Sequence, residues 1–378
     1  MKLPPLSLYI HVPWCVQKCP YCDFNSHGQK GEIPEQEYIQ HLLADLRADL
    51  HLVQGRKLHS IFIGGGTPSL LSGAAYTQLL GDIEALIGFA DGIEITLEAN
   101  PGTVETDRFK HYVAAGINRI SIGVQSLQAD KLKALGRIHG EHEARHAALE
   151  AHDAGLNSFN MDLMHGLPNQ SVADALSDLQ QVIDLNPPHL SWYQLTIEPN
   201  TQFASKPPTL PQDDVLWDIQ EQGQAMLAKH GYQQYEISGY AKDGYQCRHN
   251  LNYWQFGDYL GIGCGAHGKI TQPESNEILR TVKVKHPRGY MDLTKPYLYD
   301  SWQVAPADRP FEFFMNCLRL HSPCTKQDFC DYTGLSLNDI EPAISRAIEQ
   351  KLLTDQGDSW LVTIKGHRYL NDLLELFV

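Results

Sequence analysis

His11-Val12-Pro13-Trp14-Cys15-Val16-Gln17-Lys18-Cys19-Pro20-Tyr21-Cys22-Asp23-Phe24 carries three cysteines in a Cys-x3-Cys-x2-Cys pattern. Three thiolates can hold three irons of a cubane cluster and leave the fourth without a protein ligand. Clusters used only for electron transfer usually take four cysteines. An open iron can bind a substrate or a cofactor. The competing readings are a zinc site and buried free thiols. Structural zinc wants four closed ligands, and the next cysteine in the chain is Cys247. The spacing and its aromatic neighbours favour a 4Fe-4S cluster held by Cys15, Cys19 and Cys22.

Upstream of this stretch, residues 6–11 read as a strand. Downstream, β-rich runs at 60–64, 93–99, 119–124, 158–163 and 190–197 alternate with amphipathic, helix-like segments at 34–53, 74–87, 104–115, 142–154 and 172–185. Gly116 and Gly155 stand where helices end. Repeated strand–helix units imply a parallel sheet, either an open doubly wound sheet or a partial barrel. Polar residues decide for the barrel, because they recur at strand C-terminal ends, where barrel active sites are built. After residue 62 the chain runs into Gly64-Gly65-Gly66-Thr67-Pro68, where backbone can approach a ligand closely; a tight β–α turn explains the glycines equally well. Glu98 stands at the third strand's end, where a carboxylate can accept two ribose hydroxyls. Gln125, Arg137 with a planar fork suited to a carboxylate, and Asp162 complete the set. Each alone could be a cap or a surface ion pair; together they point to one pocket for a nucleotide-like ligand.

These motifs, with Glu98-Ala99-Asn100-Pro101, Gly123-Val124-Gln125-Ser126 and Asp162-Leu163-Met164-His165-Gly166-Leu167-Pro168, resemble the oxygen-independent coproporphyrinogen III dehydrogenase group of radical S-adenosylmethionine (radical-SAM) proteins. Within the group the chain is most similar to the haem-chaperone branch. The resemblance covers nearly the whole chain. It implies a partial (β/α)6 radical-SAM barrel over 1–200, a barrel extension over 201–304, and a C-terminal α+β winged-helix-like module over 305–378. It also implies two SAM positions: Tyr9, Gly65 and Glu98 for SAM on the cluster, and Tyr21, Gly66, Thr67, Gln125, Arg137 and Asp162 for a second.

Two departures set the chain apart from the dehydrogenase. The fourth cysteine of that enzyme's motif is replaced by Phe24, and its N-terminal extension has no counterpart ahead of residue 6. Both put porphyrinogen decarboxylation in doubt, and that activity stands as the alternative. The chain carries instead His249-Asn250-Leu251-Asn252-Tyr253-Trp254, which resembles the His-Asn-x-x-Tyr-Trp motif of the haem-chaperone branch. A histidine can ligate haem iron, so His249, Tyr253 and Trp254 are expected to contact haem; the bland reading is a hydrogen-bonded histidine in an aromatic loop. Cys264 and His267, in Gly261-Ile262-Gly263-Cys264-Gly265-Ala266-His267, are further candidates against a turn-geometry reading. The implied partners are haem and an acceptor protein, such as a respiratory enzyme.

Composition bounds the rest. A net charge of −15 argues against a nucleic-acid backbone as the main partner. From 305 to 378 there are 11 Asp plus Glu against 7 Lys plus Arg, so packing or protein contact suits that module better than DNA. The other five cysteines show no regular disulfide framework, which fits a reducing compartment. The proline-broken N-terminus does not read as a signal peptide, and no run approaches a membrane span. The expectation is a cytoplasmic protein.

Overall fold

The computed structural model describes residues 1–29, 31–103, 107–156 and 158–378. Part of the helix expected over 104–115, residues 104–106, lies outside the described residues. Six parallel strands lie side by side in chain order: β1 (Leu6–Val12), β2 (Leu58–Gly65), β3 (Phe89–Ala99), β4 (Arg119–Gln125), β5 (Ser158–His165) and β6 (His189–Gln194). Five helices cross between them: α1 (Glu35–Asp49), α2 (Gly73–Ile87), α3 (Arg108–Ala114), α4 (Glu141–Asp153) and α5 (Val172–Asp184). The partial α/β barrel expected from the alternation is what forms.

Period-2 alternation sorts the two faces of the sheet. Along β1, Leu8, Ile10 and Val12 join the large apolar core shared with Tyr38, Ile39, Leu42 and Leu46 of α1. The opposite face carries Ser7, Tyr9 and His11, and its neighbours across the barrel are mostly polar. A barrel with no site inside fills its interior with branched apolar side chains. Here Ser7, Ser60, Thr96, Ser121 and Asn160 are buried, and most are tied to one another by hydrogen bonds. The interior is built to hold polar groups.

After β6 the sheet grows at both edges. Helix α6 (Asp213–Lys229) leads to β7 (Gln233–Gln234) and β8 (Gly239–Ala241), which extend it beyond β6. The chain then returns through α7 (Arg248–Trp254) to β9 (Asp258–Gly263), which lies parallel to β1 on its other side. Antiparallel β10 (His267–Gln272), β11 (Glu277–Lys283) and β12 (Leu298–Gln303) follow. Among the described residues the full order is β12-β11-β10-β9-β1-β2-β3-β4-β5-β6-β8-β7. The glycine-rich stretch that reads as a loop is therefore partly a seventh parallel strand. The glycines are there for close approach: a Cβ on Gly263, whose φ is +97°, would stand 2.4 Å from the His11 carbonyl oxygen.

Residues from 304 onward build a second core. Helices α8 (Arg309–Cys317), α9 (Lys326–Thr333) and α10 (Glu341–Glu349) pack with a small sheet ordered β13-β15-β14, made of β13 (Cys324–Thr325), β14 (Leu353–Asp355) and β15 (Ser359–Val362). Phe313, Phe314, Phe329, Trp360 and Phe377 fill it, and Phe256 and Ile278 from the barrel side join the same cluster. Arg309 fastens the seam by donating to the carbonyls of Thr333 and Asn276. Cys317 and Cys324 form a disulfide. Their seven-residue separation carries no framework signal; the turn after α8 brings their Cα atoms to 6.0 Å. Among the described residues no helix is long and apolar enough to cross a membrane.

Candidate functional site

The cysteine stretch leaves β1 and folds over the C-terminal end of the barrel. Trp14–Cys15 pairs with His27–Gly28, which closes the loop on itself. The Gly-Gly-Gly-Thr-Pro turn after β2 is fastened to it: Gly66 N–H donates to Val12 at 2.7 Å and Thr67 N–H to Trp14 at 2.7 Å. A Cβ on Gly66 would sit 2.4 Å from the Trp14 carbonyl oxygen, and one on Gly65 would enter the His11 ring at 2.6 Å. These contacts decide against a simple turn. The glycines let two loops meet so that the cysteines stand over the barrel mouth.

Cys15, Cys19 and Cys22 open on a cavity of about 440 Å³ that reaches down into the barrel. Gly65, Gly66, Thr67, Glu98, Gln125, Arg137, Asp162 and Tyr21 line the same cavity. The structure thus brings together eight of the nine residues expected to hold SAM. Tyr9 is the exception: it lies beneath, its hydroxyl 3.0 Å from His11 Nδ1 and its ring against Phe62. Tyr9 pairs with Phe62, two residues below the level of His11 and Gly64 along the strands, and only the fold sets that depth.

Each lining group is held by a neighbour. Glu98 accepts from Gly65 N–H at 3.0 Å; burial, then the Asp162 charge, pushes its carboxyl up to about 8. Asp162 accepts from Ser121 Oγ at 3.1 Å and from Asn160 Nδ2 at 2.7 Å. Burial raises its carboxyl, and hydrogen bonds oppose the rise. Gln125 has a φ of +69° and accepts from the Tyr193 hydroxyl at 2.8 Å. Arg137 donates to Gly123 O at 2.6 Å and points a second nitrogen at Cys19 Sγ, 3.6 Å away. Its Nε is buried and has no partner among the described residues. The three thiols line one cavity; among the described residues no three His, Cys, Asp or Glu side chains form a single-ion site.

Ser121, Ser191 and Tyr193 also line the cavity and went unnoticed in the sequence. Ser191 and Tyr193 lie two positions apart on β6 and so share a face, but no recognised residue stood on that strand to mark which face it was.

The 249–254 segment forms α7 and plugs the opposite end of the barrel. Glu94, inside on β3, accepts from the N–H groups of Arg248 at 3.1 Å and His249 at 3.0 Å, which caps the helix. His249 is 6% exposed, with Nδ1 3.0 Å from Ser60 Oγ and its ring against Phe62. Burial lowers its pKa to about 4. In this position the ring faces the barrel interior, and reaching an iron would require α7 to withdraw. The hydrogen-bonded reading describes it better than the ligand expectation does. Tyr253 and Trp254 follow one turn further along the helix. The Tyr253 hydroxyl is 2.8 Å from that of Tyr259, and the Trp254 ring lies under Arg319 at 4.4 Å. Cys264 is buried beneath Tyr38, which its N–H meets at 3.2 Å, whereas His267 is exposed.

Comparison with known proteins agrees with this geometry. A family model described as the Radical SAM superfamily matches residues 9–180, and one described as the HemN C-terminal domain matches 304–369. The chain is 62% identical to heme chaperone HemW of Haemophilus influenzae and 61% identical to that of Escherichia coli, over 100% of this chain and 99% of each relative. Identity to the Bacillus subtilis heme chaperone HemW is 32%, over 98% of this chain and 99% of that protein. The solved structure of E. coli coproporphyrinogen III oxidase (HemN), a radical SAM enzyme, superposes with a TM-score of 0.83 at 22% identity, over 99% of this chain and 90% of that one. At that identity the likeness speaks to fold alone.

Proposed function

This chain belongs to the HemW family of radical-SAM proteins, and on that premise we propose that it is a haem chaperone, which binds haem and passes it to an acceptor protein in the cytoplasm. The observation that carries the reading is end-to-end identity above 60% to proteins named heme chaperones. The acceptor we have in mind is a haem-requiring protein such as a respiratory enzyme.

Cys15, Cys19 and Cys22 would hold three irons of a 4Fe-4S cluster, a role their shared cavity suits. When bound, cluster and SAM supply one-electron chemistry at the sulfonium. The chain's own residues do the holding. Ionised Glu98 would accept the ribose hydroxyls of the cluster-bound SAM, with Gly65 alongside. Tyr9 would act from beneath by fixing His11, whose other nitrogen meets the Asn25 carbonyl at 2.8 Å. Tyr21, Gly66, Thr67, Gln125, Arg137 and Asp162 would serve a second SAM, with Arg137 free to pair a carboxylate.

Haem would sit at the Tyr253–Trp254 end of α7. Coproporphyrinogen III dehydrogenation is the alternative, and Phe24 speaks against it: in the place of a fourth cysteine stands a ring, 57% exposed, at the cavity wall. The test pairs a haem titration of the purified chain with an anaerobic assay on coproporphyrinogen III and SAM after cluster reconstitution. Saturable haem binding with no protoporphyrinogen IX is expected. Failure to bind haem, or robust protoporphyrinogen IX formation, refutes the reading.

A further inference from the structure

Behind the cavity the barrel interior holds a row of hydrogen bonds that all run one way. It begins at a donor that cannot reverse. The backbone N–H of Cys247, just ahead of α7, donates to the Tyr235 hydroxyl oxygen at 3.3 Å. That hydroxyl also meets His189 Nε2 at 2.8 Å, so its own proton goes to the ring. His189, 1% exposed on β6, is held neutral by burial and then by the Arg119 charge, which lower its pKa well below the usual histidine value. A neutral imidazole carries one proton. With Nε2 accepting, that proton sits on Nδ1 and is donated to Asn160 Oδ1, 2.7 Å away. The Asn160 carbonyl thus faces His189. Its Nδ2 is left to donate to Asp162 Oδ1 and to Ser121 Oγ, both at 2.7 Å. Ser121 in turn donates to Asp162 Oδ2 at 3.1 Å. Asp162 and Ser121 line the cavity.

The direction of this row decides what Asp162 offers a ligand. An ionised carboxylate only accepts, and two donors aimed at it favour the ionised form. Burial opposes them by raising the Asp162 carboxyl. The charged and titratable groups facing it are Glu98 on β3, Arg119 on β4 and Tyr193 on β6. An Asn160 amide turned over would aim its carbonyl at Asp162, and the two oxygens would need a proton between them. The Ser121 hydroxyl tolerates either orientation, and so does that of Ser191, 3.1 Å from Asn160 Oδ1, because a hydroxyl donates or accepts. The His189 ring, with its proton fixed from behind by Tyr235, accepts only one.

We propose that His189 is a positioning residue for the SAM cavity: by donating from Nδ1 it locks the Asn160 amide with its N–H toward Asp162, and so keeps Asp162 ionised as an acceptor for the ligand. The inference rests on the assignment of this cavity to SAM above. Two substitutions separate the ring's two ends. Asn at this position carries its amide where the imidazole has Nδ1 and keeps the donation to Asn160. Gln reaches the place of Nε2 and keeps only the contact with Tyr235.

The anaerobically reconstituted full-length chain is titrated with SAM from about pH 6 to 9, beside His189→Gln and His189→Asn. Loss of the donor raises the Asp162 carboxyl further, so His189→Gln should need a higher pH to reach its full affinity. Its dissociation constant should exceed that of the unaltered chain by about tenfold at the acid end, and the two curves should converge as pH rises. His189→Asn should follow the unaltered chain. Nitrogen NMR of the labelled imidazoles, on the unaltered chain without SAM, should show His189 as the Nδ1–H tautomer, a readout that requires no variant to fold. The Nε2–H tautomer overturns this inference and leaves the SAM reading standing. So does an offset of His189→Gln that is the same at every pH, or an equal loss in the Gln and Asn variants. No SAM binding by the unaltered chain overturns both.

Discussion

Replacing Glu98 by Gln should change not only how tightly SAM binds but how that affinity depends on pH. The Glu98 carboxyl is buried beside Asp162, and its pKa is raised to about 8. In the empty cavity at pH 7 it is mostly protonated. Two ribose hydroxyls donating to it favour the ionised form, so binding expels a proton and affinity rises with pH. Below pH 8 each unit costs about 1.4 kcal/mol, a factor of ten. At pH 6 SAM should bind about a hundredfold more weakly than on the plateau above pH 9, a loss of roughly 2.7 kcal/mol. Gln cannot ionise, and charge-assisted hydrogen bonds contribute about 1.5–3 kcal/mol each. Glu98→Gln should therefore bind at least tenfold more weakly at pH 9 and converge with the unaltered chain near pH 6, where both are neutral. Isothermal titration of the anaerobically reconstituted protein across pH 6–9 measures both curves, and repetition in two buffers of different ionisation enthalpy counts the proton released. The net negative charge of a thiolate-bound cluster moves the bend upward, not downward. A flat profile for the unaltered chain, or a parallel offset of the variant at every pH, would refute the reasoning. The same raised pKa has a stability corollary. Between about 4.5 and 8 the folded chain holds a proton that the unfolded chain has lost, so this group makes stability fall as pH rises through that window.

Other substitutions probe the scaffold. Cys19→Ala should abolish the cubane absorption and its paramagnetic signal after reconstitution, while Cys330→Ala, in the C-terminal module, leaves both intact. Gly66→Ala forces a methyl to 2.4 Å from Trp14 O; it should lower cluster incorporation severalfold, read as iron per chain, without unfolding the barrel. Lys283 is fully buried between Asp45 at 2.5 Å and Asp49 at 2.7 Å. Lys283→Ala leaves those carboxylates uncompensated and should cost about 3–5 kcal/mol in urea unfolding; a loss under 1 kcal/mol would mean that water reaches the pair.

Much of the site was legible because the signals were local. The cysteine spacing, the glycine run after β2 and the carboxylates at strand ends lie within single elements, where period-2 alternation fixes the face each residue takes. That is why eight of the nine expected SAM residues meet in one cavity. Tyr9 escaped because depth along a barrel axis depends on stagger between strands. Phe24 was readable outright, since a missing thiol is a fact of composition.

What the sequence determined by itself is the order of strands and helices, the thiol set, and a chain able to build a polar barrel interior. Only the tertiary structure decided which histidine faces where. His249 stands in an aromatic stretch and His267 in a glycine-rich one, and neither setting says whether its ring is buried. Glu94 on β3 draws the N-terminus of α7 into the barrel and His249 with it, through contacts spanning more than a hundred residues. His267, the first residue of β10 and opposite Val282, is exposed. The disulfide between Cys317 and Cys324 is a decision of the same kind, made by the turn after α8. Such choices rest on packing between elements distant in the chain, where the free energy depends on which surfaces meet and not on the residues of either one alone.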